Sequence, residues 1–156
     1  MTDQKHLSEH STAVATETWL AVVRSYNQCT MTLAQRLDPL GITLLQHEIL
    51  MNLLRTPGLT QQHLSERCFS AKSGVSMLVA RFMKDGMIER KRAPKDHRAW
   101  NLFLTSQGLE LARQAEIRQR DVVMEMARNT SEEELGMVKR LMDQSSERLK
   151  EMRERD

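Results

Sequence analysis

Two clusters of side chains in this 156-residue sequence have the residue types and spacing to meet a polyanion. The first is Ser70, Lys72, Ser73 and Ser76, with Gly74 and Met77 interleaved. Small hydroxyls and an ammonium group at the N-terminal end of a helix suit base edges and phosphates, and the exposed amides of such a helix start can also hold a phosphate. The second is Lys95, Asp96, His97 and Arg98, a charged turn. An arginine at a hairpin tip suits a narrow minor groove, whose negative potential attracts guanidinium. Asp96 is placed to orient Arg98 by a salt bridge, and His97 is a turn residue with a phosphate contact at most.

The charge distribution points the same way. The chain carries a formal net charge of only +2. Residues 60–105 hold nine Lys or Arg against four Asp or Glu, whereas residues 1–59 hold four against five and residues 106–156 ten against twelve. A basic patch in the middle third of a nearly neutral chain fits a nucleic-acid partner.

Other chemistries find little support. No phosphate loop, no GxSxG and no paired carboxylate in a Gly-rich frame is present, so no enzyme is expected. Asp96 and His97 are adjacent on a hairpin and face opposite ways, which is no catalytic dyad. The two cysteines, Cys29 and Cys68, form neither a disulfide framework nor a CxxC pair. No metal site or other cofactor is expected. No apolar run reaches the ~18 residues of a membrane span. The N-terminal MTDQKHLSEH lacks the basic-then-apolar pattern of a signal peptide. A cytoplasmic protein is expected.

The elements that must position these groups follow from periodicity. Apolar residues recur over 13–37 at Trp19, Val22, Val23, Tyr26, Leu33 and Leu37, which predicts a long amphipathic helix ended by Asp38-Pro39-Leu40-Gly41. Thr43 with Gln46 is a capping box that starts a second helix, running to about Leu54. Thr60 caps a two-turn helix within Leu59–Cys68. Ser70 is expected to cap a further helix through Asp85, with Val75, Leu78, Val79 and Phe82 inside and Gly86 closing it. Two short helices joined by a tight polar turn form a helix-turn-helix. Met87–Arg92 and Trp100–Leu104 then read as the two strands of a hairpin with a basic tip. Alternation sends Arg90 and Arg92 to one face and Lys91 to the other, while Arg81 is expected to reach the wing. Thr105 caps another long helix. Thr130 to Glu134 starts a last one, whose seam Leu135, Val138, Met142, Ser145, Leu149 and Met152 is spaced to pack on another helix. The order of elements is that of a winged helix, mainly α with a small β-hairpin.

The segment LTQQHLSERCFSAKSGVSMLVARFMKDGMIERKRAPKDHRAWNLFLTSQG, Leu59 to Gly108, resembles the multiple antibiotic resistance regulator (MarR) family of bacterial and archaeal transcription factors. The helix-turn-helix, the LVxRxxxxGxIxR step, the DxR wing and the LTxxG start of the next helix match in order without a gap. The resemblance implies a homodimer with intertwined helices from 1–42 and 106–156, and a winged helix-turn-helix DNA-binding domain over 43–105. It further implies a repressor released from a pseudo-palindromic operator by a small phenolic or aromatic carboxylate ligand. In the family that ligand lies between the DNA-binding lobe and the dimer helices, which makes Arg24, Tyr26 and His47 the candidate ligand residues. Arg24 could pair with a carboxylate bidentately. His47 stands where an aromatic residue is usual.

Two positions depart from the family pattern. Gly74 replaces a usual Thr or Asn, and Met77 replaces a common Arg that would read guanine. Fewer direct base contacts and more shape or apolar readout are therefore expected. Two other functions remain open: a thiol-redox-sensing regulator through Cys29 or Cys68, and a winged-helix protein-interaction module without DNA binding. Peroxide-sensing members carry a reactive cysteine near the start of the first helix, which falls near Trp19 here rather than Cys29. Both cysteines are therefore expected in the core.

Overall fold

The structure is a computed structural model that describes residues 9–68, 71–92 and 100–155. The chain divides into two units, Met1–Val122 and Val123–Asp156.

In the first unit, α1 (Glu9–Leu37) runs into a single 3-10 turn, Asp38–Leu40. Gly41 closes that turn in the left-handed region at φ 67°, its amide donating to the Asp38 carbonyl at 2.9 Å. α2 (Leu44–Arg55) begins with the expected capping box. The Gln46 amide donates to Thr43 Oγ1 at 3.3 Å, and the Thr43 amide donates to Gln46 Oε1 at 2.8 Å. These two bonds satisfy donors that a helix start otherwise leaves open. A two-residue strand, β1 (Leu59–Thr60), precedes α3 (Gln61–Arg67), which Thr60 caps by accepting from the His63 amide. α4 (Lys72–Lys84) follows. Its N-cap is Ala71, which supplies no side-chain bond. Ser70, expected in that role, lies outside the described residues.

The sheet has the order β1-β3-β2, with both pairings antiparallel. β2 (Ile88–Arg92) and β3 (Trp100–Leu104) pair from Ile88↔Leu104 to Arg92↔Trp100. β1 adds Leu59↔Leu102. β1 was not anticipated, because two residues are too short to show alternation. α5 (Ser106–Met126) starts at the expected Thr105 cap.

The core of this unit gathers Leu37, Ile49, Leu50 and Leu53 with Leu64, Val75, Val79, Phe82, Ile88 and Leu102. Full burial of such side chains contributes about 1.5–3 kcal/mol each. One face of α4 (Val75, Val79, Phe82) is thereby fixed inward, which leaves the opposite face to solvent.

In the second unit, α6 (Glu132–Arg155) also opens on a capping box. Ser131 Oγ accepts from the Glu134 amide at 3.2 Å, and the Ser131 amide donates back to Glu134 Oε2 at 2.8 Å. The backbone and side-chain hydrogen bonds from Ser131 hold the Glu134 carboxyl below its ordinary range. No residue of α6 is buried, and Leu135, Val138, Met142, Leu149 and Met152 of its apolar seam are all exposed.

Candidate nucleic-acid interface and ligand cavity

The outward face of α4 carries Lys72, Ser73, Ser76, Met77, Ala80 and Lys84, all exposed. Their steps of one, three and four place them on one side of a helix. Met77 is 68% exposed, a large apolar side chain held in solvent at the middle of a basic surface. Gly74 sits at the edge of this face rather than on it. It is half-buried, and a Cβ there would lie 3.6 Å from Leu45 Cδ2.

Ser76 has a partner that periodicity could not supply. Gln61, the first residue of α3, donates from Nε2 to Ser76 Oγ at 2.9 Å. A serine hydroxyl has one hydrogen and two lone pairs. With a lone pair engaged by Gln61, the hydrogen is left to donate outward. Gln61 is exposed and stands beside the α4 face, so it joins the candidate set. The signal that could have found it is the helix-turn-helix geometry itself, which sets the start of the first helix against the second.

The hairpin behind α4 continues the basic surface. Arg90 and Arg92 share one strand face with Trp100, and their guanidinium carbons lie 4.9 and 4.8 Å from its ring centroid. Lys91 faces the other way, 2.8 Å from the Glu89 carboxylate and 5.3 Å from the Phe103 ring. The alternation expected for these three cations is therefore present. Among the described residues, the partner of Arg81 is on its own helix, and its expected reach to the wing falls on residues outside them. Arg81 makes an i,i+4 ion pair with Asp85 at 3.8 Å, because both lie on the outer side of α4 near its end. The wing residues Lys95, Asp96, His97 and Arg98 lie outside the described residues.

The hairpin is pinned to the next helix by the threonine and glycine of the LTxxG step. Thr105 Oγ1 donates to the Gly86 carbonyl at 2.7 Å and accepts from the Gly108 amide at 3.1 Å. The Thr105 amide donates to the Met87 carbonyl at 3.0 Å.

A cavity of about 540 Å³ opens between α1, α2 and the ends of α3 and α5. Tyr26, Thr30 and Leu33 line it from α1, and Leu45, His47, Met51 and Arg55 from α2. Arg67 and Gln119 complete its polar rim. The structure thus brings Tyr26 and His47 together. Arg24 is exposed and does not line the cavity, because two residues along a helix turn a side chain roughly 200° away from Tyr26. The basic groups at this place are Arg55 and Arg67 instead. Arg55 Nη2 donates to Gln119 Oε1 at 3.4 Å and Arg67 Nη1 to Thr56 Oγ1 at 2.8 Å, both neutral acceptors.

His47 is 5% exposed, and its Nε2 is buried without a hydrogen-bond partner. Burial first, and the Arg55 charge second, push its pKa below the ordinary imidazole value of 6.5. The imidazole is neutral at pH 7, with one ring nitrogen still to be satisfied. A buried polar atom left unpaired costs about 1–3 kcal/mol.

Cys68 packs in the core as expected. Burial, then the Glu48 charge, push its thiol up to about 11. Cys29 is half-buried on α1 rather than part of that core. Among the described residues no three His, Cys, Asp or Glu side chains converge as a metal site. No helix among them is long and apolar enough to cross a membrane.

Comparison with known proteins places the helix-turn-helix and hairpin. The MarR family model matches residues 40–99, which run from the end of the 3-10 turn to the foot of β3. Residues 40–99 carry the sequence pattern of the MarR family. An uncharacterized HTH-type transcriptional regulator of Bacillus cereus (strain ZK / E33L) is 30% identical to this chain over 90 residues, 58% of this chain and 59% of that protein. The chain thus aligns with about three-fifths of the length of the curated HTH-type relatives it matches. Among solved structures, a mutant of Escherichia coli MarR complexed with operator DNA aligns with a TM-score of 0.69 and 19% identity, covering 88% of this chain and 98% of that one. The organohalide-sensing transcriptional regulator RdhR, in its 2,4-dichlorophenol-bound form, aligns with a TM-score of 0.71 and 18% identity, covering 95% of this chain and 89% of that one. At these identities the two structures bear on the fold, which is the MarR winged helix.

Proposed function

We propose that this chain is a dimeric, ligand-responsive transcription regulator that binds a pseudo-palindromic operator and acts as a repressor. The observation that carries the reading is the outward face of α4: Lys72, Ser73, Ser76 and Met77 stand exposed at the start of the second helix of a helix-turn-helix. That helix enters the major groove N-terminal end first in proteins of this architecture. One ammonium group suits a phosphate. The serine hydroxyls suit base edges, and Met77 suits a thymine methyl. The structural likeness to a MarR bound to operator DNA supports the same placement.

Residues 43–105 serve as the DNA-binding lobe, with 1–42 and 106–156 as the dimerisation region. The exposed apolar seam of α6 and the exposed Trp19, Val22 and Tyr26 of α1 support a second copy as the partner. A two-fold dimer requires half-sites about one helical turn, ~10 bp, apart.

The ligand reading rests on the cavity. Its volume falls in the usual range for small-molecule sites, and it holds an unpaired His47 Nε2 beside Arg55 and Arg67. Neutral His47 can donate to a carboxylate or phenolate, or accept from a phenol. Either arginine can pair with a carboxylate. The neighbour solved with 2,4-dichlorophenol supports a phenolic occupant. Leu45 lines the cavity and packs toward Gly74 of α4, so a ligand that shifts Leu45 acts directly on the DNA-facing helix. A thiol-redox sensor at Cys68 is disfavoured, since a thiol raised to about 11 is about one part in ten thousand thiolate at pH 7.

Sequencing genomic fragments retained by the full-length protein tests this reading. Enrichment of a few sites with a two-fold symmetric motif, binding more weakly as salt rises, is expected. A protein that retains no duplex at low salt is a protein-interaction module instead.

A further inference from the structure

The His47 imidazole forms part of the cavity wall, and its buried Nε2 has no hydrogen-bond partner in the protein. Arg55, near the end of the same helix, lines the same cavity. Its guanidinium donates to the Gln119 side-chain amide, a neutral partner that leaves the positive charge in place. We infer that the cavity binds its occupant as a carboxylate together with a proton: the carboxylate lodges between Arg55 and His47, and the His47 ring takes up one proton from solvent as the ligand enters. The unprotonated ring nitrogen gains that proton, both nitrogens become donors, and Nε2–H donates to a carboxylate oxygen. This inference rests on the ligand reading of the cavity above, and adds to it which protonation state of the pair is bound.

Two causes keep the proton off the ring in the free protein. Burial withholds water from an imidazolium, and the Arg55 charge repels it. A carboxylate in the cavity reverses both. It offsets Arg55, and it gives the buried Nε2–H an acceptor of opposite charge. A neutral phenol reverses neither, since it donates to the unprotonated nitrogen and holds the ring neutral. The other groups at the cavity do not stand in for the ligand. Glu48 follows His47 in the chain, so its side chain leaves the helix about 100° away, and its charge acts on Cys68. Arg67 of α3 adds a second positive charge, with Thr56 Oγ1 as its neutral acceptor. Tyr26 of α1 brings a hydroxyl and Gln119 of α5 an amide. Among the described residues α4 adds no charged group to the cavity wall.

The test is calorimetry of the full-length protein with benzoate and with phenol, each in two buffers of different ionisation enthalpy, across a range of pH. Benzoate should bind with net proton uptake. Its affinity should rise by up to about tenfold per pH unit as pH falls from the value His47 takes in the complex toward its depressed value in the free protein. Benzoate itself stays ionised over that range, since a carboxyl ordinarily titrates near ~4. Phenol should bind without proton uptake. His47→Gln should bind benzoate more weakly, with neither uptake nor pH slope. Benzoate binding to the parent without uptake, equal uptake in His47→Gln, or binding of phenol alone overturns the inference and leaves the cavity a ligand site. A parent that binds neither probe at millimolar concentration removes the ligand reading and the inference with it. If His47→Gln does not fold, proton resonance decides. Replacing His6, His10, His63 and His97 by Gln leaves His47 the sole histidine. Its Cε1–H signal should titrate at higher pH with saturating benzoate than without, and an unmoved midpoint overturns the inference.

Discussion

Gly108 lies against the Met87 carbonyl so closely that a Cβ on Gly108 would stand 2.0 Å from that oxygen. The contact joins the first turn of α5 to the segment leading into β2, and Thr105 bonds the carbonyls of the same segment. No side chain fits there. Gly108→Ala should therefore destabilise the fold by at least about 1–3 kcal/mol, the usual cost of overpacking. Gly74→Ala is the contrasting case. Its added methyl would meet Leu45 at an ordinary 3.6 Å, and the helix would gain about 0.5–1 kcal/mol from the better former. Urea melts of both variants should move in opposite directions.

The LTxxG step shows how much of this molecule was legible beforehand. Thr105 and Gly108 were visible as a motif, and capping chemistry explained the threonine. The glycine's reason, a carbonyl brought from residues that precede it by about twenty positions, is tertiary and left no local mark. The same division holds elsewhere. Helices announced themselves through apolar spacing, and the Thr43–Gln46 box and the Thr130–Glu134 helix start through side-chain type. β1 is too short for alternation, and its pairing with Leu102 depends on a strand some forty residues later. At the cavity, Tyr26 and His47 were identified from resemblance, but Arg55 and Arg67 emerge only once α2 and α3 converge. Arg24 was chosen for its chemistry, and the helical rotation of α1 points it elsewhere.

Buried, neutral His47 makes stability pH-dependent in a definite direction. Its pKa is lowered in the folded state, so the unfolded chain binds the proton more tightly. Its stabilising contribution is complete above about 6.5, the unfolded value, and is lost as pH falls from there toward the depressed folded value. His47→Phe should flatten the melting-temperature profile on the acid side of pH 6.5. An unchanged slope in the variant would remove His47 as the source.

Cys68 should be inert in the native protein. With its thiol pushed up to about 11, iodoacetamide at pH 7.5 should label Cys29 well before Cys68. In denaturant both should react alike. Mass spectrometry of the labelled peptides distinguishes the two, and rapid native labelling of Cys68 would contradict the burial described above.

Removal of residues 131–156 tests the proposed dimerisation region. The seam from Leu135 to Met152 is exposed along its length, and an apolar helix face of that kind is normally covered by another helix. The truncated chain should sediment as a monomer or aggregate, and should lose operator binding. A truncated dimer with full operator affinity would assign dimerisation elsewhere.

The central claim, that the outward face of α4 meets DNA, is tested most directly by titrating a family of operator duplexes against the parent, Lys72→Gln and Ser76→Ala at several salt concentrations. Lys72→Gln should weaken binding to every duplex and lower the salt slope by roughly one per protomer, as loss of a phosphate contact requires. Ser76→Ala should keep the slope and change base preference within each half-site, by about 1–3 kcal/mol at the position it reads. Gln61→Ala should shift that same preference less, because it frees the hydroxyl that Gln61 now orients. If both α4 variants bind every duplex as tightly as the parent, with unchanged slope and preference, this face is not the DNA contact and the account fails.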